Sequence, residues 1–314
     1  MKRKLNVLIV AKPWQGGLYE YYFNAFKRRE DVNPYLYFTY PNSILDYLSY
    51  KVNKKNWYDN LLKKINELNY DLGFFINTFT NFDKLENKNN VLYLTDDAFI
   101  EEGKLGLFKN IYISDIGYAK KFSNNSNYIG ELAFAFDPKV HKSNRPNHKR
   151  KLIQLIANKD KNRNKWINLM DKHDCFPDIY GNYFNKSNYL LSHPFKIHPS
   201  INFRKQNKIY SKYLISLNIH ASVIKNGTNM KTFEACGFKV PQIINYTAGI
   251  ENFFEPNEEI LIFSTIDEYK DKLDALKTDK NLRNKLITNS FKRAMAEHKY
   301  DDRVKTIVNN FSLS

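Results

Sequence analysis

Short apolar runs alternate with stretches of helical spacing through most of this chain, and that alternation restricts its fold more than any other feature. Leu5–Ala11 reads as a strand, and Leu18–Arg28 carries apolar residues at helical spacing. Pro34–Thr39 reads as a second strand and Trp57–Leu68 as a helix. Leu72–Ile76, Val91–Thr95 and Ile111–Ser114 read as further strands. Continuous apolar strands separated by helices predict a parallel sheet covered on both faces.

The pattern breaks at Phe136–Lys151, a basic stretch with two prolines and little apolar content, and then restarts. Lys151–Ala157 is expected as a strand, Arg163–Asp171 as a helix and Asp178–Gly181 as a strand edge. Tyr213–Asn218 and Val240–Ile244 are expected as strands, with a helical tail from Asn281. A restart of this kind predicts an α/β protein of two domains, 1–140 and 151–290, joined by a linker at 141–150.

Bulk properties narrow the class. The chain has 314 residues, 42% of them hydrophobic, and no apolar run of membrane-spanning length. The apolar run in MKRKLNVLIVAKPW is about six residues, short for a signal-peptide core, and fits a first buried strand. Cys175 and Cys236 lack metal-ligand spacing. These features predict a cytoplasmic protein with no integral membrane segment. The formal charge is +16. Such a field attracts nucleic acid, anionic membrane, teichoic-type polymers or phosphate-bearing donors. Compositional bias toward Lys and Asn produces the same excess.

The segment Lys225–Tyr269 carries the most chemistry. Gly227, Thr228 and Asn229 precede Met230–Ala235, which reads as a capped helix start. The first turn of such a helix points backbone N–H groups outward, and Lys231 adds a cation, so the site favours a diphosphate. Glu234, one turn along, is placed to accept hydrogen bonds from ribose hydroxyls.

This segment resembles the nucleotide-sugar motif of GT-B glycosyltransferases, especially the CgeB-like group, whose pattern is roughly G-x-N-x-R-x-F-E-x-x-x-x-G. Lys231 stands where many members carry Arg, and Asn226 stands where the paired-glutamate motif of many retaining members has its first glutamate. KLIQLIANKDKNRNKWINLM followed by DIYGNYF is similar to the opening of the second GT-B domain. ISLNIHAS resembles the strand and loop before the donor motif, and HKYDDRVKTIV the element that opens the last helix. The resemblance covers about Lys149–Asn310 well and Met1–Phe136 more loosely. It implies two Rossmann-like domains with a cleft between them, and a terminal helix, 291–314, crossing back to the first domain. It further implies a nucleotide-diphosphate-sugar donor, UDP-sugar favoured, on the second domain. The donor residues expected are Lys159, Arg163, Tyr180, Gly181, His220, Gly227, Thr228, Asn229, Met230, Lys231 and Glu234. Gly16 and Gly17, after the first strand, are expected near the donor phosphates. No Asp-x-Asp is present, so no metal and no further cofactor is expected.

Asp96 and Asp97 end a β-rich run and offer a carboxylate at a strand's carboxyl end. YLTDD is similar to the strand-end Thr-Asp of phage DNA glucosyltransferases, which implies Asp96 as the acceptor base. Turn formation or capping of the next residues is the competing role. His298 is expected as a helix-start contact. The reading is a glycosyltransferase acting on a hydroxyl acceptor, either a surface glycan or protein or modified DNA. The alternative is a non-enzymatic nucleic-acid-binding α/β protein.

Overall fold

The computed structural model describes residues 3–13, 17–78, 85–86, 89–96, 102–143, 150–183, 192–193 and 195–312. The chain divides into two compact units: Met1–Ala133 with Tyr300–Ser314, and Phe134–Lys299.

Unit 1 contains β1 (Leu5–Ala11), α1 (Leu18–Lys27), β2 (Val32–Phe38), α2 (Ile44–Val52), α3 (Lys54–Asn66), β3 (Leu72–Ile76), β4 (Asn90–Leu94), β5 (Asn110–Ile113) and β6 (Tyr128–Glu131). All six strands are parallel, in the order β2-β1-β3-β4-β5-β6. Val7, Leu8, Ile9 and Val10 of β1 are fully buried, as are Leu72, Phe74 and Phe75 of β3. That burial on both faces is why these strands read as unbroken apolar runs. β2 lies at the sheet edge and tolerates Pro34, which brings no N–H to a ladder.

Unit 2 contains β7 (Lys151–Ile156), α4 (Lys161–Lys172), β8 (Asp178–Tyr180), β9 (Ile197–His198), α5 (Gln206–Tyr210), β10 (Tyr213–Asn218), α6 (Met230–Gly237), β11 (Gln242–Asn245), β12 (Leu261–Phe263), α7 (Ile266–Thr278) and α8 (Lys280–Glu297). Its six parallel strands run β12-β11-β10-β7-β8-β9. Ile153, Leu155, Ile167, Met170, Ile215, Leu217, Ile243 and Phe263 sit in its core.

The helical tail breaks at His298–Lys299, and α9 (Tyr300–Ser312) joins unit 1. Arg28 makes a two-pronged pair with Asp301, 2.7 and 2.8 Å. Arg303 Nε donates to the Ala133 carbonyl at 2.8 Å. The Tyr300 ring lies against those of Tyr21 and Tyr22.

The first crossing falls at Ala133/Phe134, ahead of the linker expected at 141–150. Phe136 N donates to His298 O at 3.0 Å, and His141 lies against α6, 3.6 Å from Glu234. Gly237 permits this approach, since a Cβ there would stand 2.6 Å from the Phe136 ring and 2.9 Å from His141 O. Residues 144–149, most of the expected basic linker, lie outside the described residues.

In each sheet the chain starts in the middle and winds outward both ways. The reversal falls between β1 and β3 in unit 1, and between β7 and β10 in unit 2. Parallel sheets bind ligands beyond the carboxyl ends of the strands at such a reversal.

Candidate functional site

In unit 2 the loops leaving β7 and β10 are tied together by side chains. Asp160 caps α4, accepting from Asn162 N at 2.9 Å, and also accepts from Ser222 N at 2.8 Å and Ser222 Oγ at 2.7 Å. Burial alone would raise its pKa, but the Ser222 and helix-start donors hold it below the usual carboxylate range. Arg163 Nε donates to Ile219 O at 2.8 Å and its Nη1 to Asn158 O at 3.1 Å. Arg163 thus clamps both loops, and burial lowers its pKa. Asn182 Oδ1 accepts from Lys159 N at 2.5 Å. Gly181 lets β8 approach this turn, because a Cβ there would meet Ala157 O at 1.8 Å.

The start of α6 is held as tightly. Asn229 caps it, accepting from Thr232 N at 3.3 Å. Asn218 and Asn229 exchange amide hydrogen bonds at 3.1 and 2.9 Å, and Asn218 also donates to Thr232 Oγ1 at 2.9 Å. Thr228 and Thr232 hydroxyls bond each other. Thr247 Oγ1 donates to Gly227 O at 2.9 Å. Gly249 packs beneath, where a Cβ would stand 1.6 Å from Asn226 O. A rigid loop therefore delivers a helix N-terminus at the strand reversal, the geometry that favours an anion.

Lys231 and Glu234 lie on this helix. Lys231 Nζ donates to Glu234 Oε2 at 2.7 Å, with the Lys231 side chain 24% exposed and that of Glu234 fully buried. His141 Nε2 faces Glu234 Oε1 at 3.6 Å. His141 Nδ1 accepts from Asp137 N at 2.8 Å, which leaves the ring proton on Nε2, toward Glu234. Burial lowers the His141 pKa to about 4, although Glu234 pulls it up. The imidazole is therefore neutral near pH 7.

A cleft of about 570 Å³ opens between the start of α4 and the loops that leave β10 and β11. Its lining includes Asn162, Trp166, His220, Lys225, Tyr246 and Thr247. His220 is buried and uses both ring nitrogens. Nε2 meets Thr228 Oγ1 at 3.0 Å, and Nδ1 meets Asn245 Oδ1 at 3.0 Å. Tyr246 is 48% exposed at the cleft lip.

Most of the expected donor residues thus lie close together: Lys159, Arg163, His220, Gly227, Thr228, Asn229, Met230, Lys231 and Glu234 lie on the loops and helices that follow β7 and β10, and Gly181, after β8, packs against the turn that follows β7. Tyr180 is turned elsewhere. Its ring stacks on His198 at 4.3 Å, and its hydroxyl meets Tyr213 OH at 3.0 Å. Thr228, His220 and Arg163 serve the loops directly, with polar groups committed to neighbours. His141, Asn218, Asn245 and Tyr246 were not singled out from sequence. A capping signal, Asp before a helical run, was available for Asp160.

Unit 1 has a cleft of about 560 Å³ at its own reversal, lined by Lys12, Pro13, Tyr19, Tyr40, Asn77, Thr95 and Asp96 among others. Asn77 adopts φ 50°, a left-handed conformation that Asn tolerates. Its side chain grips the end of β4, donating to Thr95 Oγ1 at 2.5 Å and accepting from Thr95 N at 2.8 Å. This puts the half-buried Asp96 on the cleft wall. Gly17 opens α1 with φ 85°, a conformation that favours glycine. Gly16 and Asp97 lie outside the described residues. His298 caps the end of α8, with Nε2 3.0 Å from Phe253 O. Among the described residues no cluster of side chains has the makings of a metal site.

Residues 163–309 match the family model described as glycosyl transferase-like. No curated protein sequence matches the chain. Solved structures match along nearly its whole length. A glycosyltransferase from Rickettsia africae superposes with a TM-score of 0.72 at 11% identity, covering 99% of this chain and 98% of the other. HepE of Anabaena in complex with UDP-glucose gives 0.70 at 10% identity, covering 99% and 100%. A T4 phage BGT mutant in complex with UDP-glucose gives 0.60 at 12% identity, covering 98% and 99%. The two parallel six-stranded sheets are those of the GT-B fold.

Proposed function

We propose that this chain, with its GT-B fold and its glycosyl transferase-like segment at residues 163–309, transfers a sugar from a nucleotide diphosphate to a hydroxyl acceptor. One observation carries the reading: a capped helix start with Lys231 in its first turn, at the strand reversal of unit 2. Transfer leaves a diphosphate that gains charge as the glycosidic bond breaks. Fixed amides and a cation aimed at that charge lower the barrier. The UDP-glucose complexes of two fold neighbours favour UDP as the nucleotide. The amides of the helix start, with the Lys231 ammonium that Glu234 holds beside them, are our candidates for stabilising the leaving diphosphate, and we read the transfer as metal-independent.

Besides the ribose contact expected of it, Glu234 supports the site through Lys231. Its enclosed carboxylate holds the Lys231 ammonium in one place. Asp96, in the unit 1 cleft, is the base that takes the acceptor proton if the anomeric centre inverts. The acceptor is a surface glycan or protein hydroxyl. Hydroxymethylated DNA is the second reading, favoured by the +16 charge. Among the described residues no helix is long and apolar enough to cross a membrane.

A thermal-shift and hydrolysis screen against UDP-, GDP-, dTDP- and CMP-sugars tests this. UDP-sugars should stabilise the protein most. Lys231→Ala should weaken donor binding by about 1.5–3 kcal/mol, the range for a charge-assisted hydrogen bond. Asp96→Asn should lower turnover by about 10²–10⁴ with donor affinity nearly constant. No shift with any nucleotide sugar would remove the transferase reading. Full turnover by Asp96→Asn would return Asp96 to a turn-forming role.

A further inference from the structure

The helix α2 has no buried residue. Ile44 is 81% exposed, Leu45 79%, Leu48 55% and Val52 87%. At 3.6 residues per turn these four side chains fall within an arc of about 100°. Helices that serve a core turn such a stripe inward; here it faces water. The helix is nonetheless well defined. Ser43 Oγ accepts from Asp46 N at 3.1 Å, and Asn53 Oδ1 caps the following α3 by accepting from Asn56 N at 2.9 Å.

The stripe is bordered by cations and rings. Ile44–Asn66 holds Lys51, Lys54, Lys55, Lys63 and Lys64 against Asp46 and Asp59. Lys51 Nζ lies 5.5 Å from the Tyr47 ring centre, and Lys54 Nζ 5.7 Å from that of Tyr50. Tyr50 packs edge-on against Trp57 at 5.6 Å. An apolar stripe flanked by lysines and amphipathic aromatic rings is what an interfacial helix presents to a bilayer. The excess of lysine selects an anionic surface. It also disfavours a second copy of this chain, whose matching patch would bring like charges together. A nucleic acid would satisfy the lysines but offers no acyl phase for Ile44, Leu45, Leu48 and Val52.

We infer that α2, supported by α3, docks in the plane of an anionic lipid surface with the Ile44–Leu45–Leu48–Val52 stripe in the interface. The docking element adjoins the unit 1 cleft. Tyr50 packs on Tyr40 at 5.3 Å, and Tyr40 lines that cleft. If the transferase reading holds, the acceptor hydroxyl is presented at a membrane surface, on a lipid-linked or membrane-tethered molecule.

Flotation of the full chain with vesicles tests the docking without relying on activity. One set is pure phosphatidylcholine and the other contains roughly 30% phosphatidylglycerol, an anionic surface of the kind that attracts basic segments. The wild type should float with the anionic vesicles and much less with the neutral ones. Ile44→Ser with Leu48→Ser should reduce partitioning at least about tenfold. Lys51→Gln, Lys54→Gln and Lys55→Gln together should reduce it and weaken its salt dependence. All these side chains are exposed, so circular dichroism and the UDP-sugar thermal shift should stay at wild-type values. Absence of flotation, or equal flotation by the Ile44→Ser/Leu48→Ser variant, would overturn the inference. So would a concentration-dependent dimer that only the stripe variant loses, which would assign the face to a second copy. A donor thermal shift without flotation removes the docking alone; flotation without a donor shift removes the transferase reading alone.

Discussion

Glu234 is a fully buried carboxylate, and a charge in such a place is stable only when it is paired. Lys231 supplies the pair, and the neutral His141 borders the other oxygen. The motif made Lys231, Glu234 and the cap Asn229 legible in the sequence, because their meaning lies in short spacing along one helix. His141 was not legible: its role comes from a fold-back onto α6 from far along the chain, which no local pattern records. Its depressed pKa gives a signed prediction. The unfolded imidazole titrates near 6.5, whereas burial lowers the folded value to about 4. Between those values the unfolded chain binds a proton that the native state refuses. The stability is therefore complete above pH 6.5 and is lost as the pH falls toward 4. Between pH 7 and pH 5 the loss should be about 2 kcal/mol. Chemical unfolding at both pH values should show a drop larger by that amount in the wild type than in His141→Asn, whose amide oxygen can still accept from Asp137 N. Equal drops would mean that His141 takes up its proton in the native protein as readily as in the unfolded chain, and that burial does not depress its pKa.

At the scale of elements, what could be read depended on burial. Leu5–Ala11, Leu72–Ile76 and Tyr213–Asn218 are strands over the residues expected, since central parallel strands must be apolar throughout. β6, β9 and β12 were not foreseen. They are two to four residues long, or carry exposed positions, and give no run to detect. α2 was missed for the opposite reason: its apolar face has no core partner. The loops around α6 were expected at the site, but their rigidity rests on close approach. Gly249 shows this, with the space for a Cβ already filled by Asn226 O. Gly249→Ala should displace the loop 226–229, cost about 1–3 kcal/mol of stability and weaken nucleotide binding. Gly106→Ala is the control, because nothing lies within 4 Å of its Cβ position. If the two variants are equally benign in melting and in UDP-sugar titration, the α6 entry is not rigid in the way described.

For the whole molecule, the restart of the α/β pattern announced two units before any geometry was known. Their strand orders were not in the sequence, since apolar runs do not say which strand pairs with which. The orders matter most for function: they put the reversal of unit 2 at β7 and β10, where Asp160, Arg163, Asn218 and α6 come together. We propose that the donor nucleotide binds there. Hydrogen exchange of the full chain with and without saturating UDP measures it residue by residue. Amides of residues 226–233, and those of 246–249 beside the cleft, should exchange more slowly with UDP, while β1 and β4 of unit 1 stay unchanged. Protection confined to the unit 1 cleft at Lys12, Asn77 and Asp96, or no protection at all, would contradict the assignment.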